Sequence, residues 1–193
     1  NGAVQLIEGA GLHPLCVLVV DELFCRKRLD LLEKIPPGTN LVLTFPAIKE
    51  IAFERPDIIR QNRIFLLHER KFHDSDVFDT SEKNLFLFDR PTYGVFQAGT
   101  VMSAAVQLAA FLNIHHVYLL GLDISNAEKE PRFYETQKDK VRTGLLRDYE
   151  RQILPFMKLA SVWYRNAGWT ISNCSPVSKL PYSVIPYQDF NKL

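Results

Sequence analysis

The 193-residue chain has no long uninterrupted hydrophobic run. Its most apolar stretch, Val101 to Ile124, is broken by Gln107, Asn113, His115 and His116, whereas a spanning helix needs about 18 consecutive apolar residues. Neither a membrane span nor a signal peptide is expected. Cysteine is scarce: Cys16, Cys25 and Cys174 form an odd, widely spaced set. That excludes a zinc pattern and a disulfide framework, and makes a reducing compartment the default. Excess charge of one sign is missing too, with 23 Lys+Arg against 22 Asp+Glu for a formal +1. A generic nucleic-acid binder or polybasic membrane protein would carry a basic surplus. There is no internal repeat, no HxxxH or HExxH helix, no GxSxG turn, no GxGxxG and no Gly-Lys-Ser/Thr phosphate loop, so zinc, serine-hydrolase and Walker-type chemistry lack their signatures. An initiator Met is also absent. The chain begins at Asn1 and is expected to be part of a longer protein.

What is present is 47% hydrophobic and 11% aromatic residues, enough for a real core in one domain over 1–193. The continuous apolar run at 15–20 suits a strand buried on both faces, and 40–45, 63–68 and 117–120 read as further strands, the last the strongest. Leu85–Phe88 and Trp169–Cys174 read as two further strands. Between them, 4–10, 29–34, 48–53, 100–112 and 145–167 read as helices. Pro155 is placed to kink the last of these, and Gly168 to cap it. Residues 69–84 carry no period and read as a loop, as does 125–144, a candidate lid with Phe133 and Tyr134. Strands alternating with helices predict an α/β domain with a mostly parallel sheet flanked by helices. In such sheets ligands sit beyond the carboxyl ends of the strands. Asp21, Thr44 and Asp123 mark three of those ends.

Two constellations follow. Gln97-Ala98-Gly99-Thr100 opens the apolar helix, where backbone N–H groups and the helix dipole favour an anion; alternatively Gly99 only permits a tight turn. Gly121-Leu122-Asp123 closes the strongest strand. There Gly allows close backbone approach, and Asp123 suits ribose hydroxyls, a metal or a substrate proton; alternatively Asp123 caps the next element. His115 and His116 fall at the opposite end of the sheet and read as structural or solvated. His68 and His73 are better placed for acid–base work.

The stretches Phe96–Met102 and Val117–Asp123 resemble a core motif of bacterial sialyltransferases that use CMP-sialic acid. They are also similar to the MptE-like 6-hydroxymethylpterin diphosphokinases, which share the Gly-x-Asp strand and the pattern of Gly11-Leu12-His13-Pro14 before a strand ending in Asp21. Arg132–Gln137 resembles the sialyltransferase lid, and Ser172–Leu180 its closing strand and turn. The resemblance implies a Rossmann-like, GT-A-like α/β domain with a lid, transferring a sugar from a CMP donor with inversion. It needs no metal and no tightly bound cofactor. It places Asn1 and Asp21 at nucleotide-contacting positions, and Gln97, Ala98 and Gly99 on the family's Thr-Ser-Gly turn, with Thr100 beside them as a further binding candidate. Gly121 and Asp123 fall near the cytidine and ribose, and Ser175 and Ser178 near the donor phosphate.

Departures matter equally. The family's catalytic histidine would fall near Leu146–Glu150, where no His occurs. Asp148 or Glu150 is the substitute base, with Asp123 the third catalytic candidate. Gln97-Ala98 lacks the hydroxyls of the family's turn. The family's first strand and phosphate loop would precede Asn1. The expected function is therefore transfer of Kdo or sialic acid from a CMP-sugar to a glycolipid or oligosaccharide acceptor in bacterial lipopolysaccharide or lipooligosaccharide synthesis. The expected location is cytoplasmic, or peripheral on the inner membrane, with Arg26-Lys27-Arg28 as a small basic cluster there or a solvated helix end. The alternatives are a pterin diphosphokinase-like enzyme using ATP and Mg²⁺ through Asp21 and Asp123, and a catalytically degenerate binding protein of the same fold.

Overall fold

Beginning at the first apolar run, Val17–Val19 forms strand β1. Asp21 then ends the strand by capping helix α1 (Glu22–Lys27): its carboxylate accepts from Leu23 N–H at 2.8 Å and Phe24 N–H at 3.3 Å. This helix was not evident in the sequence pattern, because its six residues hold too few apolar positions to reveal a period. Helix α2 (Leu29–Leu32) follows, then β2 (Asn40–Thr44). Thr44 works at both ends of its side chain. Its hydroxyl donates to Val20 C=O at 3.0 Å and accepts from Ala47 N–H at 3.4 Å, capping α3 (Phe45–Glu54). Pro56 opens α4 (Pro56–Gln61) rather than merely ending the helix before it, since the first helical position does not need an N–H. Strand β3 (Arg63–Leu67) completes a three-stranded parallel sheet in the order β1-β2-β3, with Val19 opposite Leu43 and Leu43 opposite Leu66.

The computed structural model describes residues 2–6, 11, 13–70, 78–125, 127, 132–136, 138, 140 and 143–193. Two compact units divide the chain, residues 1–69 and 70–193. The short strand β4 (Glu69–Arg70) spans their junction.

In the second unit, α5 (Glu82–Leu87) replaces the strand expected over Leu85–Phe88 and the end of the loop expected over 69–84. Ser81 is the reason: its hydroxyl caps the helix by accepting from Asn84 N–H at 3.4 Å. An apolar run of four cannot distinguish strand from helix, and the cap decides. A 3₁₀ turn (Pro91–Tyr93), β5 (Val95–Phe96), α6 (Val101–Phe111) and β6 (His116–Leu119) follow. The expected long final helix is three pieces: α7 (Leu145–Asp148), a π-helical turn (Tyr149–Ile153) and α8 (Leu154–Asn166). Pro155 lacks an N–H and its ring crowds the carbonyl four residues earlier, so the turn before it widens. Strand β7 (Thr170–Asn173) runs parallel to β6, pairing Leu119 with Asn173. The fold is mixed α/β, and among the described residues its parallel strands form separate small sheets.

The core of the second unit is aromatic. Phe88 is fully buried, stacked on Phe156 at 5.8 Å and on Trp163 at 5.2 Å. Tyr164 is also fully buried, its hydroxyl donating to Val106 C=O at 3.0 Å. Ser103 and Gln107, one turn apart on α6, are both buried. Gln107 accepts from Phe96 N–H at 2.9 Å and donates to Phe96 C=O at 3.0 Å, so it behaves as a missing strand neighbour for β5. No helix among the described residues is long and apolar enough to cross a membrane.

Two outcomes are expected. Gln107→Leu removes both buried hydrogen bonds that Gln107 makes to the Phe96 backbone and should lower unfolding free energy by about 1–3 kcal/mol, read by urea denaturation. In the first unit, Arg28 grips Asp30 through two 2.9 Å hydrogen bonds and holds its carboxyl below the ordinary value. A carboxylate depressed by folding adds stability above its unfolded pKa and loses it as pH falls through the lowered folded value. Asp30→Asn should therefore be less stable than wild type at neutral pH. The gap should close on acidification below about pH 4.

Candidate functional site

Parallel pairing of β6 and β7 brings their carboxyl ends side by side, and the ladder continues past the strands with Cys174 N–H donating to Leu119 C=O at 2.9 Å. The segments that leave these ends carry Asp123 and Ser175. The Ser175 hydroxyl donates to Asp123 Oδ1. Ser175 itself is held by its N–H on Asn173 Oδ1 at 3.0 Å and by its C=O, which accepts from the Tyr182 hydroxyl at 3.0 Å. Ser178 donates its hydroxyl to Leu122 C=O, and Lys179 N–H donates to Asp123 C=O at 2.8 Å. Asp123 is thus fixed through one carboxylate oxygen and its own carbonyl. Its Oδ2 has no hydrogen-bond donor among the described residues.

Among the described residues no backbone N–H donates to the Asp123 carboxylate, so no helix cap is seen there. The residue after Asp123, Ile124, is buried with φ +63°, a left-handed conformation that a β-branched residue rarely adopts. Such strain costs about 1–3 kcal/mol and survives only where the surroundings dictate it. On the other side, Gly121 has φ +74° and open space where a side chain would begin, so a ligand can approach the backbone directly before Asp123.

The turn at Gln97–Thr100 has a different neighbour. Gly99 has φ +71°, and a Cβ there would lie 2.9 Å from Asp148 Cβ. Gln97 is exposed, while Ala98 is buried with its N–H given to Ser103 Oγ at 3.2 Å; Thr100 caps α6 by accepting from Met102 N–H at 3.3 Å. The structure therefore brings Asp148 to this turn. Both Asp148 oxygens accept from Arg147, at 2.8 and 2.9 Å. Glu150 is exposed. Between them, Tyr149 is buried and donates its hydroxyl to Lys179 C=O at 2.9 Å, linking the Asp148 segment to the Asp123 segment. Burial, and secondarily Glu150, raises the Tyr149 phenol above its usual pKa and keeps it a donor.

Some expected residues lie elsewhere or outside the description. Asp21 belongs to the first unit, where its carboxylate is engaged as a cap. Asn1 and His73 lie outside the described residues, as do Asn126, Glu128, Lys129 and Gln137 of the candidate lid. Within 125–144, Ser125 donates its hydroxyl to Val177 C=O at 2.8 Å, Arg132 pairs with Glu135 at 2.6 Å, and Phe133 meets Tyr134 edge-on at 5.1 Å. His115 stacks on Trp169 at 4.4 Å, and His116 bonds Thr170 at 2.8 Å. In the basic cluster, Arg26 is paired with Glu50 and Arg28 with Asp30.

Burial, then Asp21 and Glu50, pushes the Cys25 thiol up to about 12; burial and then Asp189 raises Cys174. Among the described residues no group of three His, Cys, Asp or Glu side chains is placed to hold a metal ion. Sequence reasoning missed Tyr149 and Lys179. Tyr149 lies within the helix expected over 145–167, and Lys179 directly follows Ser178; neither carries a motif of its own.

The two glycines should separate experimentally. Gly99→Ala meets both the left-handed backbone and Asp148, and should cost about 2–4 kcal/mol of stability; Gly121→Ala meets only the backbone term, about 1–2 kcal/mol. Equal losses in denaturant titrations would contradict the close approach of Asp148. No family model, no curated protein and no solved structure matches the chain.

Proposed function

We propose that this chain is the nucleotide-sugar-binding part of a Rossmann-like, GT-A-like transferase that uses a CMP-activated Kdo or sialic acid. The observation that carries the reading is Asp123: a carboxylate at the carboxyl end of a parallel strand, two residues after the open Gly121, held by Ser175 through one oxygen, with the other oxygen unspent among the described residues. Ligands of parallel α/β sheets gather at such ends, and an acidic side chain there suits ribose hydroxyls. An acceptor-only carboxylate with a free oxygen takes a hydroxyl proton donor without rearrangement.

In the reaction, an acceptor hydroxyl oxygen bonds to the anomeric carbon of the donor sugar. The bond from that carbon to the phosphate oxygen breaks, and its electron pair stays on the departing CMP. The hydroxyl proton passes to a carboxylate. Asp148 fills that role once it parts from Arg147, and Glu150 is the exposed second choice. The acceptor is a glycolipid or oligosaccharide of the bacterial surface. The protein acts in the cytoplasm or on the inner face of the inner membrane.

Thermal unfolding with added ligands tests the reading, because a ligand that binds only the native state raises stability by mass action, about 2.7 kcal/mol at a hundredfold excess over Kd. CMP should raise the melting temperature of wild type, and Asp123→Asn should abolish most of that rise. With CMP-Kdo or CMP-sialic acid and a lipooligosaccharide, Asp148→Asn should slow transfer on the order of a hundredfold or more while leaving CMP binding in place. Stabilisation by ATP with Mg²⁺ and none by CMP would replace this reading with the pterin diphosphokinase-like one. CMP binding without transfer would mark a binding protein.

A further inference from the structure

A phosphate is expected at the α6 N-terminus on sequence grounds, yet Asp148 already packs against Gly99 there. A second anion beside that carboxylate meets like-charge repulsion. Arg147 is committed to Asp148 through both of its hydrogen bonds. Among the described residues of the cluster, Lys179 is the cation without an ion pair. Its ammonium has no carboxylate partner among the described residues and rests 4.3 Å from the centre of the Tyr149 ring. Its backbone is pinned on both sides, N–H to Asp123 C=O at 2.8 Å and C=O from the Tyr149 hydroxyl at 2.9 Å. The preceding residue is anchored as well, by the Ser178 hydroxyl on Leu122 C=O. An exposed ammonium on a fixed stem, lying along an aromatic face, keeps its N–H donors for a ligand and surrenders less freedom on binding than an untethered lysine.

We propose that Lys179 receives the phosphate of the CMP moiety, both in the bound donor and as CMP departs. The proposal rests on the CMP-sugar reading of the same site. In the donor the phosphate carries one negative charge. When the bond to the anomeric carbon breaks, the electron pair left on the phosphate oxygen raises that charge towards two. An ammonium at this position therefore holds the departing group more strongly than the intact donor, which is the direction that accelerates transfer. Tyr149 is the positioning residue, acting through Lys179.

Calorimetric titration of the 193-residue chain with CMP and with cytidine tests this, the nucleoside serving as the phosphate-free probe and as a check on folding. Wild type should bind CMP more tightly than cytidine. Lys179→Gln should keep its cytidine affinity and lose CMP affinity on the order of tenfold, the effect of one charge-assisted hydrogen bond. Lys179→Arg should retain most of the CMP preference. Lys158→Gln, on the exposed side of α8, should change neither. An unchanged CMP-to-cytidine ratio in Lys179→Gln overturns the role of Lys179 and leaves the donor reading standing. Failure of wild type to bind either ligand overturns both.

Discussion

Parallel pairing of β6 with β7 sets what the second unit can do. With Leu119 opposite Asn173, the two strands end level, and the segments leaving them meet within hydrogen-bond reach. Every polar contact of the candidate site descends from that register: Ser175 on Asp123, Ser178 on Leu122, Lys179 N–H on Asp123 C=O. A shift of one residue would turn the side chains of β7 to the opposite faces and carry Ser175 away from Asp123. The aromatic core on Phe88, Phe156 and Tyr164 resists such a shift, because buried rings of that size have no second arrangement of equal packing.

Caps explain why some polar strand ends are functional candidates and others are not. Asp21 and Thr44 each end a strand and immediately satisfy the free N–H groups of the next helix. Asp123 stands at the same kind of position, but none of the described residues over 124–143 is helical. The chain instead turns through Ile124 in a left-handed conformation, and the carboxylate is steadied by a residue 52 positions away in sequence. A strained backbone and a partly committed acid together set Asp123 apart from its two look-alikes.

Legibility followed the length of each signal. The runs at 15–20, 40–45 and 63–68 announced β1, β2 and β3, although β3 keeps Phe65 and Leu66 exposed and is not buried on both faces. Pro155 announced a break in the last helix, though not that the turn before it would widen to π geometry. Leu85–Phe88 misled, since four apolar residues fit either period and the deciding hydroxyl, Ser81, lies outside the run. Gly99 was legible as a special backbone position, yet its neighbour Asp148 comes from a helix 49 residues further on, which no local pattern encodes.

The amino-acid sequence by itself determined the local chemistry: apolar strands in alternation with helices, glycines at Gly99, Gly121 and Gly168 where φ is positive, and an acid after a buried strand. Those features depend on neighbours in the chain, so periodicity and turn chemistry disclose them. Only the tertiary structure decided which polar residues are already spent and which remain available. Gln107 is consumed by Phe96 and Arg147 by Asp148, whereas among the described residues Asp123 keeps one oxygen and Lys179 its ammonium. The physical reason is that a hydrogen bond or ion pair is a property of two groups meeting in space. Groups tens of residues apart in the chain meet only through the packing of the strands and helices that carry them.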